Sequence, residues 1–143
     1  MSDDAPMLND PAKFLYQLPF VKAFQISIVD ANPGELTVEM PFDPQFATPP
    51  NHFPASMVGT VGDVAAVSSC LSRLTVGWLA ATLDFTIKMT NPAAGEKLIA
   101  KGRALQVGKT TSVGAADVFA VADGTLTHCA SLLATARNFK IRA

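Results

Sequence analysis

Between Phe53 and Ser72 one side chain alone carries charge: Asp63, inside an apolar run that also holds Gly59 and Gly62. A buried carboxylate without partners costs several kcal/mol unless it protonates or finds hydrogen bonds. Stability alone would place Ala or Ser there. Two readings are open: an aspartate that reaches a backbone amide or solvent at an open helix end, or a general base or nucleophile in a semi-enclosed cleft, its pKa raised by desolvation. The segment Asn51-His52-Phe53-Pro54-Ala55-Ser56 adds a second chemical element. If a helix starts here, the amides near Ala55, Ser56 and Met57 lack intrahelical partners. A thioester carbonyl held against them would be polarised, and a developing oxyanion stabilised. Ser56 and Asp63 are then about 11 Å apart along the axis. A substrate crossing the helix, or a neighbouring subunit, must bridge that distance.

Little else in the chain is built for chemistry. There is no P-loop, GxGxxG, GxSxG or zinc-ligand spacing, and no metal or redox cofactor is expected. His52 sits in the proline-rich loop before the helix; His128, between Thr127 and Cys129, reads as a half-buried sheet histidine. Cys70 and Cys129 lack a CxxC spacing and read as apolar core fillers. Eleven Lys and Arg against twelve Asp and Glu give a net charge of -1, no footprint for nucleic acid or anionic lipid. Charged residues make up 16%, below the roughly 25% of ordinary soluble domains. Some surface is therefore expected to be buried against another subunit. Met1-Ser2-Asp3-Asp4 is acidic, no long apolar segment follows it, and Asp63 interrupts the most apolar stretch. Neither a secretory signal nor membrane insertion is expected, and the expected location is the cytoplasm.

The elements that must position Asp63 follow from periodicity. After a frayed tail over residues 1–9, Asp10-Pro11 supplies an N-cap and first-turn proline for a short helix to about Gln17. From Ala23 the period is two: Phe24, Ile26 and Ile28 lead to Asn32-Pro33-Gly34, and Leu36, Val38 and Met40 form the next strand's apolar face. Prolines at 41, 44, 49, 50 and 54 make the next segment a long ordered loop. Ala55 to about Leu74 is helical and apolar around most of its girth, hence enclosed by protein. Gly59 and Gly62 are expected to let another backbone come close. Leu83, Phe85, Ile87 and Met89 alternate with polar residues and are expected to face that helix. Strands over Lys97–Val107, Thr110–Ala122 and Leu126–Ile141 complete the chain, with turns at Gly108-Lys109 and Asp123-Gly124. One enclosed helix with about six antiparallel strands implies a sheet curled around it.

Val61-Gly62-Asp63-Val64-Ala65-Ala66, the strand Thr82-Leu83-Asp84-Phe85-Thr86-Ile87 leading to Asn91-Pro92-Ala93, and Gly108-Lys109-Thr110 together carry a resemblance. From Asn51 to Phe139 the chain resembles the phenylacetate-degradation-type (PaaI-like) thioesterases of the hotdog superfamily. That family opens its helix with His-Gly-Gly, the His nine residues before the acid and a loop Asn ahead of it; Pro54-Ala55-Ser56 stands here instead. The resemblance implies an α+β hotdog fold over residues 1–143, with an antiparallel sheet of five to six strands wrapped around one long central helix. It implies an acyl-CoA thioesterase in which Asp63 activates water or attacks the carbonyl, the Ser56 amide holds the oxyanion, and Thr82 from the partner subunit's strand orients the water. Asn51 and His52 take a polar substrate-binding role if the loop path shifts by a residue or two, and the Ala55 methyl meets the approaching substrate. Arg103 and Lys109 are candidates for the nucleotide phosphates, or simply solvated. Coenzyme A is part of the substrate. The assembly is a homodimer or homotetramer joined near Thr82 to Met89. An acyl-CoA or apolar-ligand binding protein without hydrolysis is the alternative, favoured by the altered helix start; a hydratase or dehydratase of this fold would have only His52 to use.

Overall fold

The computed structural model describes residues 6–141. Asp10 caps the first helix, α1 (Pro11–Leu15), its carboxylate accepting the Ala12 N–H at 3.1 Å. The expected extension to Gln17 does not form. Pro19 holds Leu18 extended and opens a second short helix, α2 (Pro19–Ala23), which the periodicity missed. Gln25 then adopts φ +58, so the first strand, β1 (Ser27–Asn32), starts four residues later than Ala23. Pro33-Gly34, with Gly34 at φ +85, turns the chain into β2 (Glu35–Pro41), whose Leu36, Val38 and Met40 are buried as expected. The long helix is α3 (Ala55–Leu71), followed by β3 (Trp78–Met89), β4 (Lys97–Val107), β5 (Thr111–Ala122) and β6 (Thr125–Lys140). The strands form one sheet in the order β1-β2-β4-β5-β6-β3, every neighbouring pair antiparallel. It packs around α3, the α+β arrangement expected.

The helix ends at Leu71 rather than Leu74 because its C-terminus is capped from two sides. The Ser72 hydroxyl donates to the Ser69 carbonyl at 2.6 Å and accepts the Gly34 N–H at 2.8 Å. The Asn9 side-chain amide donates to the carbonyls of Leu71, Thr75 and Trp78 at 3.4, 3.2 and 2.8 Å. Met7 and Asn9 also bond the backbones of Val76 and Leu74. Residues 7–9 are therefore an anchor, not part of a frayed tail; residues 1–5 of that expected tail lie outside the described residues.

Helix and sheet meet most closely at two strand glycines. A Cβ on Gly102 would collide with the Ala65 carbonyl, and one on Gly114 with the Ala66 carbonyl. The glycine hydrogens face these oxygens instead, in the geometry of weak Cα–H···O contacts. The helix glycines do something else. A Cβ on Gly59 would meet the Phe85 ring at 3.3 Å and one on Gly62 would meet Leu132 at 3.1 Å, so side chains and not another backbone lie over these glycines. Cys70 on α3 and Cys129 on β6 are both buried, and burial pushes both thiols up to about 11.

Gly102→Ala forces the helix off the sheet and is expected to cost about 1–3 kcal/mol or more in urea denaturation. Gly59→Ala meets only the edge of a movable ring and gains helix propensity, so its change should stay within about 1 kcal/mol.

Candidate active site

Thirteen of the seventeen residues of α3 are buried; Ala55, Ser56, Thr60 and Asp63 are not. Ser56, Thr60 and Asp63 are spaced four and three apart, so they lie on one stripe, which with Ala55 at the helix start is the part of the helix left uncovered. The edge strand β3 runs beside it. Between Thr82 and Asp84 the register with β6 shifts, leaving Leu83 as an extra residue in the ladder. This bulge reverses which residues point inward. Before it, Ala80 and Thr82 face the helix; after it, Phe85 and Ile87 do. The expected inward set is therefore corrected: Leu83 is 59% exposed, and Met89 also lies largely in the open.

Thr82 consequently donates its hydroxyl to Asp63 Oδ1 at 2.8 Å within the same chain. The resemblance implied this hydroxyl from a partner subunit's strand; this bond to Asp63 is made within one chain. Asp63 is half-buried, and among the described residues its side chain has no other bonded partner. Desolvation raises its pKa above the ordinary carboxylate value, and the Thr82 hydrogen bond opposes that rise only partly. Asp63 sits mid-helix, half-exposed and facing a strand, with a threonine hydroxyl and not a backbone amide as its partner.

At the start of α3 the loop is held by reciprocal bonds between Thr48 and His52 at 2.8 Å, by Phe53 N–H to the Ala93 carbonyl and by Gly95 N–H to the Asn51 carbonyl. Phe53 is buried and packs edge-on against Phe42, while Pro54, Ala55 and Ser56 are exposed. The Met57 N–H donates to the Pro54 carbonyl at 2.9 Å, so it is not an open donor as first expected; Ala55 and Ser56 are the first-turn amides without a backbone acceptor among the described bonds. The Asn51 side chain is half-buried and that of His52 exposed, both at this end of the helix.

The two basic candidates lie elsewhere. Arg103 is on the outer face of the sheet, paired with Asp117 at 3.2 Å, where it lines a groove of about 340 Å³ with Asp30, Glu35, Lys101 and Phe119. Lys109 stands in the β4–β5 turn beside Arg73 and Trp78, at the opposite end of α3 from Ser56. The structure thus brings Asp63 and Thr82 together, places Ser56 and Ala55 on the same face, and separates Arg103 and Lys109 from them. One cluster escaped the sequence reading. His128 Nε2 lies 3.2 Å from Asp117 and 3.1 Å from Ser131, while its Nδ1 meets the Thr90 hydroxyl at 2.8 Å. Only strand register, which pairs Asp117 with Ser131, could have revealed it. It lies on the outer face of the sheet, away from α3, so His128 does not pair with Asp63.

No protein-family model matches the chain, and no curated protein matches its sequence. Solved structures do match. A thioesterase family protein from Silicibacter pomeroyi superposes with TM-score 0.87 at 24% identity, covering 91% of this chain and 96% of its own. A thioesterase from Haemophilus influenzae gives 0.80 at 14% identity, covering 96% of each chain. A phenylacetic acid degradation-related protein from Ralstonia eutropha gives 0.74 at 19% identity, covering 90% of this chain and 99% of its own. The likeness spans nearly the whole of each partner, and it is a likeness of fold: this chain has the hotdog fold that these structures share.

Proposed function

We propose that the protein is a thioester hydrolase acting on acyl-CoA. The observation that carries this reading is the half-buried carboxylate of Asp63, bonded to Thr82, on the one uncovered stripe of the central helix. Oδ1 is occupied by the Thr82 hydroxyl, which leaves Oδ2 free to take a proton from water. The Thr82 oxygen, having donated its own hydrogen, can accept the second hydrogen of that water and fix its direction. The water oxygen attacks the thioester carbon as its proton passes to Asp63. The oxyanion rests on the Ser56 amide, and collapse expels the thiolate, which recovers the proton from Asp63. A desolvated carboxylate with a raised pKa is the stronger base for this task.

Within one chain Ser56 and Asp63 are seven residues apart, about 11 Å along the axis, too far to hold one carbonyl between them. A second copy supplies the complement if the two helices run antiparallel. The free edge of β3, carrying exposed Leu83, Phe85 and Met89, fits such a junction in a homodimer or a pair of dimers. The binding-protein alternative draws on Pro54, which has no N–H, and on the exposed Ala55 methyl beside the Ser56 donor.

Asp63→Asn is expected to lower kcat by about 10²–10⁴ in an acyl-CoA assay read as free thiol, with ligand binding retained. His52→Ala should alter the rate far less. A wild type that binds acyl-CoA without turnover favours the binding protein; full activity in Asp63→Asn removes the base assignment. The wild-type rate should fall on the acid side with an apparent pKa above the ordinary 3.8.

Stability should move with the same group. Its folded pKa is raised, so the preference for the neutral carboxyl is fully present below the unfolded value and lost as pH rises through the folded one. Asp63→Asn, always neutral, should therefore gain on the wild type as pH rises through that window, seen as a widening Tm difference that levels off above it.

Light scattering at micromolar concentration should give a mass of at least twice 15.0 kDa. A monomer would remove the composite site.

A further inference from the structure

We propose that a cavity at the C-terminal end of α3 binds a nucleotide, through its phosphates and its base. The cavity holds about 320 Å³ and is lined by Arg73, Trp78 and Lys109 together with Leu74, Thr75 and Val107. Two cations and the chain's one tryptophan meet here, and no acidic side chain is part of the lining. The groove on the outer face of the sheet is the contrast: Asp117 takes Arg103, and Asp30 and Glu35 line the same space. Among the described residues neither Arg73 nor Lys109 makes an ion pair. Lys140, the cross-strand partner of Trp78 on β6, adds a third cation to the same face.

Cations at a helix C-terminus ordinarily offset its unpaired carbonyls. Here that role is already filled. The Asn9 amide donates to the carbonyls of Leu71, Thr75 and Trp78, the Ser72 hydroxyl to that of Ser69, and the Arg73 N–H to that of Cys70. The charges of Arg73 and Lys109 are left for a ligand. The elements that present them are fixed beforehand. Buried Asn138 donates its side-chain amide to the Gly108 carbonyl at 2.8 Å, accepts the Ser112 hydroxyl at 2.9 Å, and bonds the Thr110 carbonyl through its own N–H. The turn that carries Lys109 is thus held from beneath, and the Arg73 side chain lies along Gly34 in the β1–β2 turn. Uncompensated cations select an anion, and an indole offers a flat apolar partner to a ring. A nucleotide carries both in one molecule, and a cavity of this size suits it. The lining alone carries this site, whatever Asp63 does. Two copies with antiparallel helices, as the thioester reading needs, would set this end of one helix beside the Ser56 end of the other. The nucleotide end of coenzyme A and a free nucleotide share the chemistry, and the test separates them.

Trp78 is the only indole of the chain, so its emission reports on this cavity. Adenosine 3′,5′-bisphosphate, the nucleotide end of coenzyme A, is titrated into the full chain beside ADP and inorganic phosphate, with calorimetry as the second readout. Saturable quenching by the nucleotides is expected, weakening as salt rises. Arg73→Ala and Lys109→Ala, both changes of exposed side chains, should each lower nucleotide affinity about tenfold with the circular dichroism unchanged. By calorimetry, Trp78→Leu should lower it about fivefold or more, and Trp78→Phe should keep most of it. A preference for the bisphosphate over ADP supports the site and assigns it to coenzyme A; equal or tighter binding of ADP supports it and assigns it to a free nucleotide. Bisphosphate binding by a protein that never cleaves a thioester keeps this site without the hydrolase. No nucleotide binding, affinity unchanged in both Arg73→Ala and Lys109→Ala, or inorganic phosphate bound as tightly as the nucleotides overturns the proposal.

Discussion

The contact on which the rest depends is the seating of the α3 backbone against β4 and β5. Gly102 and Gly114 let the carbonyls of Ala65 and Ala66 lie directly on the sheet, closer than any side chain would allow. With the helix seated that deeply, the curled sheet covers nearly its whole girth and four residues remain uncovered. The depth of seating is thus what converts a helix with a single charged residue into a nearly buried element with one narrow, uncovered stripe. A shallower helix would leave Asp63 solvated, with its pKa near the ordinary value and little reason to act as a base.

The second constraint is the extra residue in β3. A regular strand puts Thr82 and Phe85 on opposite faces, because three residues separate them. The bulge at Leu83 gives both to the helix, one as the hydroxyl partner of Asp63 and the other as the apolar cover of Gly59. The departure from strict alternation falls beside the candidate site, where strand irregularities commonly re-aim side chains. The cost is an exposed leucine at the sheet edge, at a place where a second copy would cover it.

Much of this was legible in the sequence. Alternation gave the inner face of β2, the turn residues gave the hairpins, and the isolated charge in an apolar run singled out Asp63. What alternation could not convey was its own interruption: Leu83 continues the apolar pattern of Phe85 and Ile87, so nothing in the residue types marks it as the one that turns outward. The Pro19 helix was hidden because Phe24, Ile26 and Ile28 mimic a strand, whereas a positive φ at Gln25 separates them. Asn9 looked like tail because its three acceptors lie more than sixty residues away. The pairing of Arg103 with Asp117 depends on register between β4 and β5, as does the His128 cluster on β5 and β6, and no local signal encodes it.

The two cysteines complete the picture in a practical way. Both are buried, with thiols held neutral well above physiological pH, so the folded chain presents almost no thiolate to solvent. A chromogenic disulfide reagent added to the native protein should therefore report almost none of the chain's own sulfur. The same reagent becomes a sensor of opening, since Cys70 lies against Gly114 and reacts when helix and sheet part.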